Sequence, residues 1–158
     1  MHGGLRGGCE AGADGRRVRG AGASGVTEIA VTDTHALIWY ATERGQRLGR
    51  KARRVFERVD GGRGVVYVPV LSLVEVGDAA QRGLVRLDGG TLEWMKRLLS
   101  SGRYLPAELN ADIVALAEEL RGIRERTDRL IAATALHLDL PLITRDATIA
   151  EAGVDVLW

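Results

Sequence analysis

Four carboxylates occupy similar places in the sequence, each at a junction between a strand-like run and a helix-like stretch. They are Asp33, Glu75, Asp128 and Asp146. In an open parallel sheet such junctions gather at one edge, which is where ligands bind. Four carboxylates brought together there would repel one another unless a cation lay between them, and Mg²⁺ or Mn²⁺ suits a set of oxygen ligands. The pattern therefore predicts a divalent-metal site.

Each carboxylate also has a local explanation. Asp33, Asp128 and Asp146 stand where the N-cap of a helix is expected, and Asp is a favoured N-cap residue. Glu75 follows Ser72 by three positions, which matches the S-x-x-E capping box. For any one of them alone, capping is the commoner role. Four such positions in one small domain nevertheless favour a shared site, because a capping carboxylate after a parallel strand lies at the ligand edge.

Strand-like and helix-like segments alternate along the chain from Val26 onward. The β-branched and apolar runs predict strands at 28–32, 65–70, 142–144 and 154–157, and a short one around 104–105 that Pro106 limits. Helical periodicity predicts helices at 34–42, 46–60, 72–81, 91–100, 110–125, 128–138 and 147–151. This alternation argues for one α/β domain in which a parallel sheet is covered on both faces.

Length and composition limit the class of protein. A chain of 158 residues with 46% hydrophobic and 27% charged residues fits one domain with a sizeable core. No apolar stretch approaches the roughly 18 residues that span a membrane, and the single Cys9 excludes an intrachain disulfide. We therefore expect a cytoplasmic protein without a membrane segment. The net charge of +1 gives no global attraction to nucleic acid, so such binding would depend on local patches.

The first 25 residues differ from the rest of the chain. Nine of the 21 glycines fall there, without apolar periodicity between them. Such a segment cannot bury enough apolar surface to offset its ordering entropy. It is either a disordered Gly/Arg-rich tail, which could touch RNA, or the product of a mis-assigned start, with the native chain beginning near Val26. In both cases we expect the folded domain to occupy residues 26–158.

The segments that carry the acids resemble those of PIN-domain nucleases, especially VapC-type toxins of toxin–antitoxin pairs. The resemblance covers nearly everything from Val26 to Trp158, in order and spacing. It lies in Val31-Thr-Asp-Thr-His-Ala-Leu-Ile-Trp39, Ser72-Leu-Val-Glu75, Asp128-Arg-Leu-Ile-Ala-Ala-Thr-Ala135, Leu142-Ile-Thr-Arg-Asp146 and Gly153-Val-Asp-Val-Leu-Trp158. Residues 124–127 (Arg-Glu-Arg-Thr) depart from the His/Pro-containing stretch that many relatives carry there.

The resemblance implies a three-layer α/β/α PIN-like fold with a mostly parallel central sheet. It also implies an endoribonuclease that depends on Mg²⁺ or Mn²⁺ and acts as the toxin of a toxin–antitoxin pair. Its catalytic and metal-binding residues would be Asp33, Glu75, Asp128 and Asp146, with Thr144 as a helper that hydrogen-bonds a carboxylate or a metal-bound water. A small antitoxin is expected in the acidic groove, and the protein is expected to form a homodimer.

The chemistry fits these residue types. RNA hydrolysis needs a nucleophilic water, an in-line displacement at phosphorus and neutralisation of the developing negative charge, and carboxylate-held Mg²⁺ supplies all three. We expect Asp33 and Asp146 to be direct ligands, and Glu75 and Asp128 to bind directly or through water. The division of roles stays open at this point.

Other residues have simpler interpretations. His35 stands two positions after Asp33, but such a histidine commonly packs at a helix start, so we leave it outside the catalytic set. The three tryptophans are expected to be core or dimer contacts: Trp39, Trp94 and Trp158. A basic stripe on the helix predicted at 46–60 is expected to be a solvated face, with contact to the RNA backbone as the alternative: Arg47, Lys51, Arg54 and Arg58.

Two other function classes are weaker. A phosphatase or phosphotransferase with an aspartyl nucleophile would require an Asp-x-Asp signature after the first strand, whereas the sequence has Asp33-Thr34-His35. The second alternative is a catalytically silent PIN-like domain that binds RNA or a protein partner. The presence of all four acids argues against it, and sensitivity of RNA cleavage to EDTA would separate the two.

Overall fold

The computed structural model describes residues 27–42 and 44–158. In this part of the chain the strands are β1 (Glu28–Thr32), β2 (Gly64–Pro69), β3 (Tyr104–Ala107), β4 (Leu142–Ile143) and β5 (Val156–Leu157). The helices are α1 (Thr34–Ala41), α2 (Arg50–Asp60), α3 (Val70–Gln81), α4 (Thr91–Ser100), α5 (Ala111–Glu119), α6 (Arg126–Leu138) and α7 (Ala147–Glu151), with one 3₁₀ turn at Gly45–Arg47. The glycine-rich segment 1–25 lies outside the described residues.

The five strands form one parallel sheet in the order β3-β2-β1-β4-β5. From the central β1 the chain passes to β2 and β3 on one side, and later to β4 and β5 on the other. Val31 pairs with Leu142, and Thr32 with Ile143. The strand order thus reverses between β1 and β4, and the carboxyl ends of these two strands form the crevice where ligands bind in open α/β sheets.

Helices cover both faces of the sheet. On one face Ala30 packs in a cluster with buried side chains of α1, α2, α3 and α4, including Phe56 and Trp94. On the other face Val31 packs with α5, α6 and α7, including Ile131 and Ile149. Neighbouring residues of β1 therefore pack into the cores on opposite faces of the sheet, because successive side chains of a strand point to alternate faces. The expected three-layer α/β/α architecture is confirmed.

The chain enters α2 later than the periodicity predicts. Gly45–Arg47 forms a 3₁₀ turn, the backbone is extended at Leu48 and Gly49, and α2 begins at Arg50. Trp158 lies against Gly49, where a Cβ atom would come within 2.4 Å of the Trp158 carbonyl carbon. Only glycine allows this approach, so the segment before α2 is shaped by its contact with the end of the chain and not by helix propensity.

No loop separates β2 from α3. The strand ends at Pro69, which is also the N-cap of the helix, and α3 begins at Val70, two residues before the expected start. Proline suits this place because its missing N–H would have no partner in the first helical turn. Ser72 is therefore inside the helix, and its buried hydroxyl has no hydrogen-bond partner. The predicted Ser72–Glu75 capping box is wrong.

The other expected bounds differ at their ends. Helix α5 stops at Glu119 where periodicity suggested 125, because Leu120 and Ile123 become buried in the turn that follows. Helix α6 starts at Arg126, so Asp128 is in its first turn and is not its N-cap. Pro106 lies inside β3, which is tolerated because β3 is an edge strand. Within the described ranges no helix has the length and apolar character needed to cross a membrane.

Candidate active site

Asp33 lies directly after β1, at the crevice between β1 and β4. Its backbone N–H donates to the carbonyl of Ile143 at 3.1 Å, and its Oδ1 accepts a hydrogen bond from the N–H of Ala36 at 2.6 Å. The predicted N-cap of α1 is therefore confirmed. The residue is 9% exposed, and burial raises the pKa of its carboxyl, while hydrogen bonds from Thr144 and Ala36 act in the opposite direction.

Thr144 connects the two capping aspartates across the crevice. It follows β4, is buried, and its hydroxyl oxygen accepts the N–H of Asp146 at 3.1 Å. The same side chain is hydrogen-bonded to the Asp33 carboxylate. Asp146 in turn caps α7, because its Oδ1 accepts the N–H of Thr148 at 2.8 Å. One threonine thus fixes the relative placement of Asp33 and Asp146.

Glu75 reaches the same region from α3. It lies in the second turn of the helix and is half-buried. Its Oε2 accepts a hydrogen bond from the hydroxyl of Thr34, the first residue of α1. This bond holds the glutamate next to the residue that follows Asp33. The position is set by packing of α3 against α1, and the expected capping role has no part in it.

Asp128 brings the fourth carboxylate from the first turn of α6. The pKa of this half-buried group is raised from 3.8 to about 6, first by burial and then by the negative charges of Glu75, Asp146 and Asp33, in that order. All three of the other acids therefore lie close enough to oppose its ionisation. Four carboxylates from four separate segments share one electrostatic neighbourhood.

Three of the four acids border a cleft of about 330 Å³. Its lining residues are Asp33, His35, Asp128, Thr144, Arg145, Asp146, Ala147 and Ile149. Glu75 is not part of this lining and is joined to the site through Thr34 and through its effect on Asp128. A larger open groove of about 1080 Å³ is lined by residues 84–89 and by Ala41, Thr42, Arg44 and Gln46, and it contains none of the four acids. Size alone therefore does not identify the site, and the convergence of charge does.

Comparison with known proteins assigns the family. The model of the PIN domain matches residues 30–154, which include all four acids. The chain belongs to the PIN domain family. It is also similar to Ribonuclease VapC22 of Mycobacterium tuberculosis (strain ATCC 25618 / H37Rv), with 29% identity over 116 residues that cover 72% of this chain and 84% of that protein.

Solved structures show the same fold. VapBC2 from Rickettsia felis, bound to a DNA fragment from its promoter, matches with a TM-score of 0.62 at 14% identity, over 82% of this chain and 97% of that chain. A toxin–antitoxin complex from Klebsiella pneumoniae matches with a TM-score of 0.51 at 21% identity, over 74% and 86% of the two chains. At such identities the likeness concerns the fold.

The donor set of this PIN domain suits a hard divalent cation in its chemistry. Carboxylate oxygens are the ligands that Mg²⁺ and Mn²⁺ prefer, and a cation would offset the repulsion that raises the pKa of Asp128. Among residues 27–42 and 44–158, however, no three Asp, Glu, His or Cys side chains are grouped so that they could hold a metal ion as they stand. The residue types therefore suit Mg²⁺ or Mn²⁺, but the described side chains are not arranged around a single point at which the ion could bind.

Two cleft residues were not predicted. His35, which we expected to pack at the helix start, is exposed and lines the cleft, and its charge acts to lower the pKa values of Asp33 and Asp128. Arg145 stands between Thr144 and the capping aspartate and is exposed in the same cleft. Their positions in the sequence, close to a capping acid at the ligand edge, could have predicted that both line the cleft.

The other sequence interpretations have mixed outcomes. Trp39 and Trp94 are buried, and Trp158 packs edge-on against Trp39, so the tryptophans are core contacts as expected. Two members of the basic stripe, Lys51 and Arg54, are exposed on α2, as expected for a solvated face. Arg47 lies in the 3₁₀ turn before the helix, and Arg58 pairs with Glu28 at 3.5 Å.

Proposed function

We propose that this PIN domain is an endoribonuclease that depends on Mg²⁺ or Mn²⁺ and acts as the toxin of a toxin–antitoxin pair. The observation that carries the proposal is the convergence of three other carboxylates on Asp128, each of which raises its pKa. Such a cluster is costly to the fold and is typical of sites that bind a cation or transfer protons. The similarity to a protein named as a ribonuclease supports RNA as the substrate.

The chain's own residues would hold and orient the reacting groups. Ala36 and Thr144 fix the carboxylate of Asp33, Thr148 fixes that of Asp146, and the Thr34 hydroxyl fixes that of Glu75. Groups held in this way lose little entropy when the substrate arrives. A carboxylate at the cleft accepts a proton from the attacking water as the water oxygen bonds to phosphorus. The bond to the leaving ribose oxygen then breaks, and that oxygen takes up a proton from solvent water.

Asp33 and Asp146 would bind the metal directly, and Glu75 and Asp128 directly or through water. The bound cation would supply charge neutralisation on the phosphoryl oxygens and would lower the pKa of the attacking water. Without it, four carboxylates would repel the phosphodiester. Cations at the cleft would therefore favour the approach of a polyanionic substrate.

A protein partner and a dimer complete the proposal. One structural relative is a toxin–antitoxin complex, and an antitoxin of this chain would occupy the acidic groove with an Arg or Lys. A homodimer contact is supported by apolar side chains exposed on α6 and on the two helices that contact it, α3 and α5: Val74 (58% exposed), Val114 (44%) and Leu136 (39%).

Paired induction in a bacterial host tests this function. The chain and its Asp33→Asn variant are expressed from the same promoter, and growth and total RNA are followed. We expect growth arrest with discrete RNA fragments for the parent only. Equal growth and intact RNA in both cultures, at matched amounts of folded protein, would favour a catalytically silent domain that binds RNA or a protein.

A further inference from the structure

The ring of Trp39 lies close to two arginine side chains, one of which, Arg145, lines the acidic cleft. The guanidinium carbon of Arg145 lies 4.7 Å from the ring centroid, and that of Arg47 lies 6.0 Å from it. Both arginines are exposed, whereas Trp39 is only 5% exposed. A guanidinium near an indole face is attracted by the ring quadrupole, so these contacts favour a defined place for each charge.

The ring itself is held firmly in place. Trp158 meets Trp39 edge-on with centroids 5.8 Å apart, and Trp158 packs against Gly49 too closely to allow a Cβ there. The His35 ring contacts Trp39 at 5.7 Å on the side of the cleft. Trp39 is therefore a fixed platform, and an arginine resting on it loses less freedom on binding a ligand than one on a bare surface.

Arg145 lines an acidic cleft but forms no ion pair with the part of the chain that the structure describes. Among the described residues no carboxylate lies within ion-pair distance of it, since the ion pairs there join Arg58–Glu28, Arg97–Asp88 and Arg121–Glu118. Its contact is the aromatic ring, which uses none of its N–H donors. The five donors of a guanidinium suit a phosphate group, which they can bind in a bidentate manner.

We propose that Arg145 and Arg47, both held on Trp39, form a phosphate-binding track that places the RNA backbone beside the acidic cleft. Arg145 would bind a phosphate next to the scissile one, and Arg47 a phosphate further along the strand. The track rests on the proposed ribonuclease function and adds to it the residues that bring a polyanion to a negatively charged site. It also assigns a role to a tryptophan that would otherwise be core only.

Binding measurements at several salt concentrations test the track. Asp33→Asn protein, which we expect to bind RNA without cleaving it, is titrated with a fluorescein-labelled single-stranded RNA of about 20 nucleotides. We expect Arg145→Gln to weaken binding roughly tenfold and to lower the slope of log K against log [NaCl] by about 0.7, which is one phosphate contact on a single strand. Arg47→Gln should lower the slope by a similar amount. Arg145→Lys should keep the slope but bind more weakly, because lysine lacks the planar fork.

The control is Arg63→Gln. Arg63 is exposed in the turn before β2, at the amino ends of the strands, whereas the cleft lies at their carboxyl ends. Its replacement should leave affinity and slope unchanged. Unchanged circular dichroism and melting temperature for each variant exclude loss of the fold as the cause.

The failure of the track can be told apart from failure of the ribonuclease function. If the parent cleaves RNA while Arg145→Gln and Arg47→Gln bind RNA with the parental slope, only the track is wrong. Equal losses for Arg63→Gln would also overturn it, because they would indicate a diffuse charge effect. If the arginine variants lose affinity for an acidic protein partner and keep it for RNA, the surface binds protein instead. Absence of both RNA binding and cleavage in the parent would overturn the track and the function together.

Discussion

Replacing Asp128 by Asn should stabilise the protein at neutral and alkaline pH. The pKa of Asp128 is raised from 3.8 to about 6 by burial and by three neighbouring carboxylates, so ionisation is disfavoured in the folded state. Below about pH 4 the group is protonated in both folded and unfolded chains, and its favourable contribution to folding is complete. As the pH rises through about 6 that contribution is lost, because the unfolded chain ionises more easily.

The size of the effect follows from the pKa. A rise from 3.8 to about 6 corresponds to at most about 3 kcal/mol of folding free energy above pH 7. Asp128 is only half-buried, so water screens part of this penalty, and we expect about 1–2 kcal/mol. For a domain of this size that is a rise in Tm of roughly 3–6 °C. A gain in stability on losing a carboxylate is typical of functional sites.

Urea unfolding in EDTA, from about pH 4 to pH 8, measures this gain. The free energies of unfolding of the parent and Asp128→Asn should converge near pH 4 and separate as the pH rises. Asp155→Asn is the control, because Asp155 is an exposed carboxylate just before β5 and its replacement removes one negative charge away from the cleft. A gap of the same size at pH 4 and pH 8, or no gap at pH 8, would refute the electrostatic reasoning.

Three further predictions concern the residues around the acids. Thr144→Val should lower the free energy of unfolding by about 1–2 kcal/mol in urea titrations, because the Asp146 N–H and the Asp33 carboxylate lose a hydrogen-bond partner; an unchanged midpoint would contradict it. Gly49→Ala should destabilise the fold by about 1–3 kcal/mol, since its Cβ would clash with Trp158, whereas Gly83→Ala tests the separate effect of a positive φ without a clash. Mg²⁺ or Mn²⁺ should raise the Tm of the parent more than that of Asp33→Asn, and equal rises would argue against binding at the acids.

The strand and helix order was predictable from the sequence because two periodicities dominate it. The apolar runs at β1 and β2 and the helical pattern of α4 gave bounds close to those observed. The errors lie where tertiary contacts override local pattern. Gly49 is extended because of Trp158, and α3 starts directly at the end of β2 because Pro69 can serve as the last strand residue and the N-cap at once.

The sequence predicted which four carboxylates come together, but only in part how each of them is positioned. Asp33 and Asp146 do cap helices at the ligand edge, because a carboxylate after a parallel strand has few other places to lie. The capping explanation failed for Glu75 and Asp128, whose positions depend on how α3 and α6 pack against the sheet. The contact between Arg145 and the Trp39 ring joins residues more than a hundred positions apart, so no local sequence pattern predicts it.

Cleavage of total RNA by purified protein tests the central claim most directly. Parent and Asp33→Asn are incubated with RNA in Mg²⁺, in Mn²⁺ and in excess EDTA. The Asn variant should stay folded, because its side-chain oxygen can still accept the N–H of Ala36. We expect discrete fragments from the parent with either metal, none in EDTA, and none from Asp33→Asn under any condition. Cleavage that persists in EDTA, or that Asp33→Asn retains, would contradict a metal-dependent site built on these four carboxylates.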